Sequence, residues 1–308
     1  MSALGIEDIG VYIPATRTDN HKKLARFGFE QHFLDERIGV YRTSVKDDEE
    51  ECSDMCVKAW NALQEKTPFD PDDIDVIIVA TQNSDIRMPH GAAYVHGKLG
   101  LTPGCASFDV SLGCSGFVYG LSAITSFMKQ NEMKKGVLFT ADPYSKVVDP
   151  EERNTSLLFG DAATATLITE NAELIPGRFT FGTLGEKADE IRLVDEKLSM
   201  NGLAVVKFVK RYIPPDIRKN IELNGLTMDE IDRFLLHQAS RYMVRTVMKD
   251  LGIDEARTPF EIGDYGNTIS SSIPILLEKE ILQTDVRNYL TSGFGIGFSW
   301  ASCVLRRV

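Results

Sequence analysis

Cys114 is the side chain of this sequence best placed for nucleophilic chemistry. It lies between residues 106–111, which have the pattern of a short buried strand, and residues 115–129, where apolar side chains recur at helical spacing. This arrangement predicts that Cys114 lies at or near a helix N-terminus, where unpaired N–H groups and the helix dipole favour an anion. A thiolate is such an anion, and it is the form of cysteine that attacks a carbonyl carbon. For Cys114 alone, the alternative is a small buried thiol that packs the turn.

Two further polar side chains follow predicted strands in the second half of the chain. His237 ends the apolar stretch 233–236, and Asn267 precedes a helix start that is rich in small residues. Taken singly, His237 fits a hydrogen-bonded core histidine and Asn267 fits a helix cap. Together with Cys114 they suit acyl transfer. No metal site is predicted, because the other histidines are not paired with cysteines at ligand spacing.

A glycine-rich segment at residues 293–300 supplies backbone N–H groups near the end of the chain. It is superficially like a dinucleotide-binding loop. Only eleven residues follow Gly297, however, too few for the strand–helix–strand unit and acidic residue that a dinucleotide site requires. The N–H groups of such a loop instead suit the stabilisation of an oxyanion.

The elements that would position these groups occur twice along the chain. An acidic turn followed by a short apolar strand appears at residues 72–82 and again at 229–239. Further strands are predicted in pairs, at 106–111 and 259–262, at 136–140 and 286–291, and at 164–169 and 298–305. This pattern predicts an α/β fold with two mostly parallel sheets, layered with buried helices between them. Ligands of such folds bind at the carboxyl ends of strands, where Cys114, His237 and Asn267 all fall.

The repeat predicts an N-terminal half at residues 1–170, which carries the cysteine, and a C-terminal half at residues 171–308, which carries His237 and Asn267. No low-complexity segment or linker separates them. The longest stretches that are predicted to be irregular, 143–160 and 174–203, resemble insertions that could cover a pocket.

Composition and charge argue against several classes of protein. No apolar run approaches the roughly 20 residues of a membrane span. The N-terminus shows no signal peptide, and five irregularly spaced cysteines do not predict a disulfide framework, so we expect a cytoplasmic protein. The net charge of −11 argues against a general nucleic-acid surface. Residues 207–219, in contrast, carry five basic residues against one acidic residue, a patch that would dock an acidic partner.

The order of these motifs resembles the β-ketoacyl-acyl-carrier-protein synthase III family of the thiolase superfamily. The likeness rests on Cys114, on His237-Gln-Ala, on Gly266-Asn-Thr and on the glycine-rich segment with its Phe-Ser-Trp ending, and it covers nearly the whole chain. Phe159-Gly-Asp and Arg37-Ile-Gly-Val resemble two further signatures of the family.

This resemblance implies a thiolase-like five-layered αβαβα fold made of two duplicated halves, and a homodimer. It implies that Cys114 takes an acyl group from a thioester, with acyl-CoA as the expected donor. Malonyl-acyl carrier protein would then lose CO2 and attack the acyl-enzyme to give a β-ketoacyl carrier protein. The product would serve fatty acid biosynthesis or secondary metabolism. No cofactor is implied beyond these substrates.

The resemblance also implies roles for individual residues. His237 and Asn267 would donate hydrogen bonds to the malonyl thioester oxygen as enolate charge develops, and the backbone N–H groups of Cys114 and Ile296 would hold the tetrahedral oxyanion. The residues expected to bind substrate are Phe33, Arg37, Met88, Arg153, Phe159, Val206 and Ser240. The residues expected to dock the carrier protein are Lys207, Lys210 and Arg211.

Among the substrate-binding residues, the two arginines would contact CoA, Phe33 would stack on its adenine, and Met88 would reach across the dimer to bound the acyl pocket. Several positions depart from the usual family pattern, among them three of the residues named above. Ser240 stands where asparagine is common, Ile296 where glycine is usual, and Val206 where an aromatic residue is usual. These departures leave the catalytic trio intact and favour a specialised synthase, with the acyl donor left open.

Other functions fit the sequence less well. The runner-up is a related cysteine-dependent acyltransferase that moves an acyl group to an alcohol or amine without decarboxylation. A biosynthetic thiolase would need a second cysteine in a Cys-x-Gly setting, and Cys303 lacks one. Hydroxymethylglutaryl-CoA synthase would need a glutamate near residues 82–88, where none occurs. A non-catalytic partner subunit has no need of cysteine, histidine and asparagine together.

Overall fold

The computed structural model describes residues 3–308, in which strands and helices alternate along most of the chain. The strands are β1 (Gly5–Tyr12), β2 (Arg17–Asp19), β3 (Arg42–Ser44), β4 (Val76–Ala80), β5 (Ala106–Val110), β6 (Gly136–Ala141), β7 (Ala163–Thr169), β8 (Leu174–Thr183), β9 (Ile191–Val194), β10 (Lys197–Met200), β11 (Arg233–Leu236), β12 (Asn288–Gly295) and β13 (Ser299–Arg307). The α-helices are α1 (His21–Phe27), α2 (Gln31–Phe33), α3 (Cys52–Lys66), α4 (Gly91–Leu99), α5 (Gly116–Gln130), α6 (Gly202–Leu223), α7 (Arg241–Leu251) and α8 (Ser272–Glu280).

Nine of the strands form one sheet with the order β11-β12-β13-β8-β1-β7-β6-β4-β5. Strand β4 is parallel to β5 and β6, and β11 is parallel to β12, whereas the remaining neighbours are antiparallel. Strands β1 and β8 meet through a single residue pair, Ile6 and Leu174. The sheet therefore consists of two smaller sheets, one from each half of the chain, that touch at one corner.

Helices cover both faces of each smaller sheet and so produce five layers. Helices α3 and α4 pack on the outer face of the first sheet, and α6 and α7 lie outside the second. Helices α5 and α8 contact strands of both sheets and form the middle layer. The αβαβα order expected of a thiolase-like fold is confirmed.

The apolar runs in the sequence arise because the strands are covered on both faces. In β4, Val76 and Ile78 pack into the core between the two sheets, whereas Ile77 and Val79 pack against α3 and α4. In β11, Leu235 faces the central core, and its two apolar neighbours face α6 and α7. A strand with two buried faces has no polar alternation.

Three sequence predictions about the second half are wrong. Its sheet is not mostly parallel, because only β11 and β12 are parallel and its other two strand pairs are antiparallel. Residues 259–262 do not form a strand. Pro259 has no N–H for a ladder, and the side-chain amide of Gln238 instead donates to the Pro259 carbonyl at 3.2 Å and accepts from the Glu261 N–H at 3.2 Å. Residues 174–203 are not mainly irregular, because they form β8, β9 and β10. Within the described residues, no helix is long and apolar enough to cross a membrane.

Candidate active site

Cys114 lies in the turn between β5 and α5, two residues before the helix begins. A loop from the second half passes directly against it. A Cβ atom added to Gly295 would lie 2.6 Å from the Cys114 sulfur, so only glycine fits at that position. The hydroxyl oxygens of Ser115 and Ser299 are 2.7 Å apart and tie the two segments together. Both halves of the chain therefore hold the turn that carries the thiol.

Cys114 is half-buried on the wall of a cavity. Burial raises the pKa of the Cys114 thiol to about 12. The backbone N–H groups of Ile296 and of Cys114 itself oppose this rise, because they hydrogen-bond to the sulfur, and the Asp142 carboxyl adds to it. Burial thus outweighs the helix terminus that was predicted to favour a thiolate, and the thiol is protonated at neutral pH. The two N–H groups are those predicted to hold an oxyanion.

His237 follows β11 and is 1% exposed. Its backbone N–H donates to the Ser292 carbonyl at 2.9 Å, and its ring meets Phe294 edge to face with 5.7 Å between centroids. Nδ1 lies 2.8 Å from the Ser272 hydroxyl oxygen, and the ring also hydrogen-bonds to the Ile269 backbone; Nε2 is the nitrogen that Ser272 does not engage. Burial lowers the pKa of His237 to about 3, so the imidazole is neutral at physiological pH.

Asn267 presents the donor end of its amide to the same cavity. Its Oδ1 accepts from the Ile269 N–H at 3.0 Å, which fixes the amide orientation and leaves Nδ2 without a partner among residues 3–308. Its backbone is held on both sides, because its N–H donates to Leu158 at 2.8 Å and its carbonyl accepts from Gly160 at 3.0 Å. The side chain of Asn267 is 3% exposed. An amide with its oxygen already engaged is suited to donate a hydrogen bond to a substrate oxygen.

These groups line one cavity of about 510 Å³ between the two halves. The sequence-predicted residues that line it are Phe33, Arg37, Cys114, Arg153, Phe159, Val206, Ser240, His237, Asn267 and Ile296. Met88 does not line it and is 79% exposed. Lys207, Lys210 and Arg211 lie on the exposed surface of α6, next to Val206 at the cavity wall. Among residues 3–308, no cluster of three or more metal-ligating side chains occurs.

The mouth of the cavity carries positive charge that is not neutralised. The Arg37 guanidinium lies over the Tyr242 ring, 4.5 Å from its centroid, and the Arg153 guanidinium lies 5.1 Å from the centroid of Phe29. Phe29 in turn stacks on Phe33 with 4.0 Å between centroids. Neither arginine forms an ion pair within the described part of the chain. Both cations therefore remain available to an anionic ligand.

Comparison with known proteins assigns the chain to a family. Two segments, residues 108–184 and 221–307, match the family descriptions "3-Oxoacyl-[acyl-carrier-protein (ACP)] synthase III" and its C-terminal counterpart. The β-ketoacyl-[acyl-carrier-protein] synthase III of Acholeplasma laidlawii is 32% identical over 304 residues, which are 97% of each chain. This chain belongs to the β-ketoacyl-acyl-carrier-protein synthase III family. It is accordingly an enzyme of the acyltransferase class.

Solved structures agree with this assignment. The synthase III of Thermus thermophilus superimposes with a TM-score of 0.92 at 28% identity, covering 99% of both chains. A priming β-ketosynthase from the R1128 polyketide pathway shares the fold, with a TM-score of 0.89 at 23% identity over 99% of this chain and 97% of that one.

Ser240, one of the positions at which this chain departs from the family pattern, has a structural role. The Ser240 hydroxyl caps α7, because it accepts from the Met243 N–H at 3.3 Å. Serine is a strong N-cap residue, so the substitution is compatible with the local backbone.

Sequence reasoning missed three residues of this synthase III site. Ser272 contacts His237, Tyr144 lines the cavity, and Asp142 is buried behind both Tyr144 and Cys114. Burial raises the pKa of Asp142 to about 6, although the Gln82 N–H and the Ser270 hydroxyl donate to it at 2.8 and 2.5 Å. Asp142 and Tyr144 directly follow β6, so the strand-end rule that located His237 would also have found them.

Proposed function

We propose that this protein condenses an acyl thioester with malonyl-acyl carrier protein, releasing CO2 and forming a β-ketoacyl carrier protein through an acyl-Cys114 intermediate. One observation carries the proposal: the thiol of Cys114, Nε2 of His237 and the amide NH2 of Asn267 face a single cavity. A nucleophile alone serves any acyl transfer. Two additional neutral donors are what decarboxylation to an enolate requires.

In the first half-reaction, Cys114 attacks the thioester carbonyl of the acyl donor. The thiol is protonated at rest, so its proton must leave as the C–S bond forms. Nε2 of neutral His237 relays that proton to the departing thiolate of CoA without resting as an imidazolium, because burial lowers its pKa to about 3. The backbone N–H groups of Cys114 and Ile296 hydrogen-bond to the sulfur at rest, and they serve the oxyanion of the tetrahedral intermediate.

In the second half-reaction, the bond between the malonyl carboxylate and its α-carbon breaks. The released electron pair becomes an enolate, whose oxygen receives hydrogen bonds from His237 Nε2–H and Asn267 Nδ2–H. The enolate carbon then attacks the acyl-Cys114 carbonyl, the thiolate leaves, and solvent supplies its proton. His237 acts as an acceptor in one step and a donor in the other. The Ser272 hydroxyl beside Nδ1 suits both tautomers, because a hydroxyl can donate or accept.

The mouth of the cavity fits a CoA thioester as the donor. Arg37 and Arg153 offer two unpaired guanidinium groups to phosphates, and Phe33 supplies an aromatic face for adenine. The exposed cations of α6, at Lys207, Lys210 and Arg211, suit an acidic carrier protein that approaches the same mouth. No cofactor takes part in these steps.

The working enzyme is proposed to be a homodimer. Strand β5 ends the sheet, so one of its edges is unpaired in the single chain. Near that edge, Ile86 and Met88 are 47% and 79% exposed, so they offer apolar surface to a second copy. A second copy that pairs with β5 would cover both residues and bring its Met88 towards the neighbouring acyl pocket.

Intact-mass analysis and carboxyl-labelled malonyl carrier protein test the reaction. Incubation with a panel of acyl-CoAs is expected to give an adduct on Cys114, and addition of the labelled carrier protein is expected to release labelled CO2 with formation of a β-ketoacyl product. An acyl adduct without CO2 release, followed by transfer to an alcohol or amine, would instead identify the acyltransferase. Absence of both would overturn the proposal.

A further inference from the structure

One group of residues in the cavity wall combines apolar side chains with a phenol. Ile191, Met200 and Val209 line the cavity, together with the ring of Phe159. Tyr144 lies among them, 4% exposed, with its ring centroid 5.2 Å from that of Phe159. A hydroxyl group buried in such surroundings is costly unless it forms hydrogen bonds.

Within residues 3–308, the Tyr144 hydroxyl has one hydrogen-bond partner, the side chain of Gln82. That side chain can form further hydrogen bonds. The Tyr144 hydroxyl donates to Gln82 Oε1 at 3.3 Å, a long hydrogen bond. Among residues 3–308, no donor reaches the Tyr144 oxygen and no acceptor reaches Gln82 Nε2. The Tyr144 oxygen in the cavity wall therefore retains acceptor capacity for a ligand, and the two amide hydrogens of Gln82, whose side chain is exposed in the single chain, lie next to it.

This Tyr144–Gln82 pair lies beside the nucleophile. Gln82 Oε1 would be 2.6 Å from a Cβ atom on Gly113, the residue that precedes Cys114. Burial raises the pKa of the Tyr144 hydroxyl well above its usual value, and the nearby Asp142 and Cys114 add to the rise, so the phenol stays neutral. A substituent that meets this pair must be close to the thioester carbon bound to the sulfur.

We propose, on the basis of the function proposed above, that the Tyr144–Gln82 pair selects acyl donors that carry a hydroxyl or keto oxygen near the thioester. A substrate hydroxyl would donate to Tyr144 Oη, and Gln82 Nε2 would donate to a hydroxyl or keto oxygen. The apolar wall beyond the pair takes the remaining carbon chain. An unsubstituted alkyl chain leaves the buried Tyr144 oxygen without the hydrogen bond that the substrate oxygen supplies.

Acylation rates measured by intact mass test this selection. The substrates are butanoyl-CoA and its 2-hydroxy, 3-hydroxy and 3-oxo derivatives, which share one chain length. The wild-type enzyme is expected to acylate faster with at least one oxygenated donor than with butanoyl-CoA. Tyr144→Phe keeps the ring and is expected to lower the ratio of those rates by roughly three- to tenfold, the effect of one hydrogen bond to a substrate.

Two further variants separate polarity from volume and folding. Gln82→Leu changes a side chain that is exposed in the single chain and is expected to lower the same ratio. Tyr144→Leu is expected to admit longer alkyl chains as well, which Tyr144→Phe is not. A wild-type preference for butanoyl-CoA, or an unchanged ratio in both Tyr144→Phe and Gln82→Leu, would overturn the inference. Failure of every donor to form an adduct would overturn the proposed function and the inference with it.

Discussion

The two halves of the chain place different chemistry at equivalent positions. In the repeat, Ala80 at the end of β4 occupies the position of His237 after β11, and Cys114 at one helix start has its counterpart near Asn267 at the other. Ala80 is fully buried and packs near Gly116, whereas His237 turns a ring nitrogen into the cavity. The first half therefore supplies the nucleophile and the second half supplies the donors. A duplicated fold brings equivalent strand ends together. The residue types at those ends determine which half supplies the nucleophile and which supplies the hydrogen-bond donors.

Burial has the same effect on the reactive groups of both halves, because it keeps the Cys114 thiol and the His237 imidazole neutral. It raises the pKa of Cys114 to about 12 and lowers the pKa of His237 to about 3. Fixed charge remains at the mouth, on Arg37 and Arg153. The catalytic side chains in the cavity are therefore uncharged at rest, and charge develops on them only when substrate is bound.

Cys114→Ala tests the assignment of the nucleophile to the first half and has the largest expected effect. No acyl adduct should form by intact mass, whereas release of CO2 from malonyl carrier protein should persist, because both donors of the second half remain. An adduct at its normal rate in this variant would place the nucleophile elsewhere.

Asn267→Asp tests the donor role of the second half. The aspartate can still accept the Ile269 N–H that holds the turn, but it offers no NH2 to the substrate. We expect decarboxylation to fall by about 10²–10³-fold, the usual effect of a lost oxyanion donor, and acyl-enzyme formation to change far less. Equal losses in both half-reactions would contradict a role confined to decarboxylation.

The pH dependence of alkylation tests the neutral state of Cys114. Because burial raises the pKa of this thiol to about 12, the thiolate fraction at neutral pH is small and should grow about tenfold for each pH unit. The rate of modification by iodoacetamide should rise roughly 100-fold from pH 7 to pH 9 without a plateau, with Cys114→Ala as the blank. A plateau near pH 7 would show instead that the helix terminus stabilises the anion.

Ser272→Ala tests whether the second half positions its histidine through this hydroxyl. Loss of the bond to Nδ1 should slow decarboxylation by roughly three- to tenfold, without preventing acylation, because the ring loses its fixed orientation. Ser270→Ala is a matched control, since Ser270 donates to Asp142 and not to His237. Equal effects of the two variants would assign Ser272 a merely structural role.

The smallest expected effect concerns the surface of the second half. Reversing the charge at Lys207 and Lys210 should raise KM for the carrier protein several-fold and leave the acylation rate with a small thioester unchanged. Lys219→Glu, at the far end of α6, changes charge on the same helix and serves as the control. An unchanged KM in the double variant would place the carrier-protein surface elsewhere.

The convergence of Cys114, His237 and Asn267 was predictable from sequence, because strand ends of a repeated α/β unit meet at the same place. The missing strand at residues 259–262 was not, since it depends on a side chain, Gln238, that binds this backbone from another segment. The pKa of Cys114 also escaped prediction. The rule for helix termini uses only neighbouring residues, whereas the pKa depends on how completely the surrounding protein excludes water from the thiol.

The contact between Cys114 and Gly295 has a consequence for the order of events during synthesis. The N–H group of Ile296 reaches the sulfur only after the loop at residues 293–297 has been made and has folded against the first half. While only the first half has been synthesised, the Cys114 thiol therefore lacks its contacts with the Ile296 N–H, the His237 imidazole and the Asn267 carboxamide. Reactivity of Cys114 towards thioesters is therefore expected to appear only after the second half has folded.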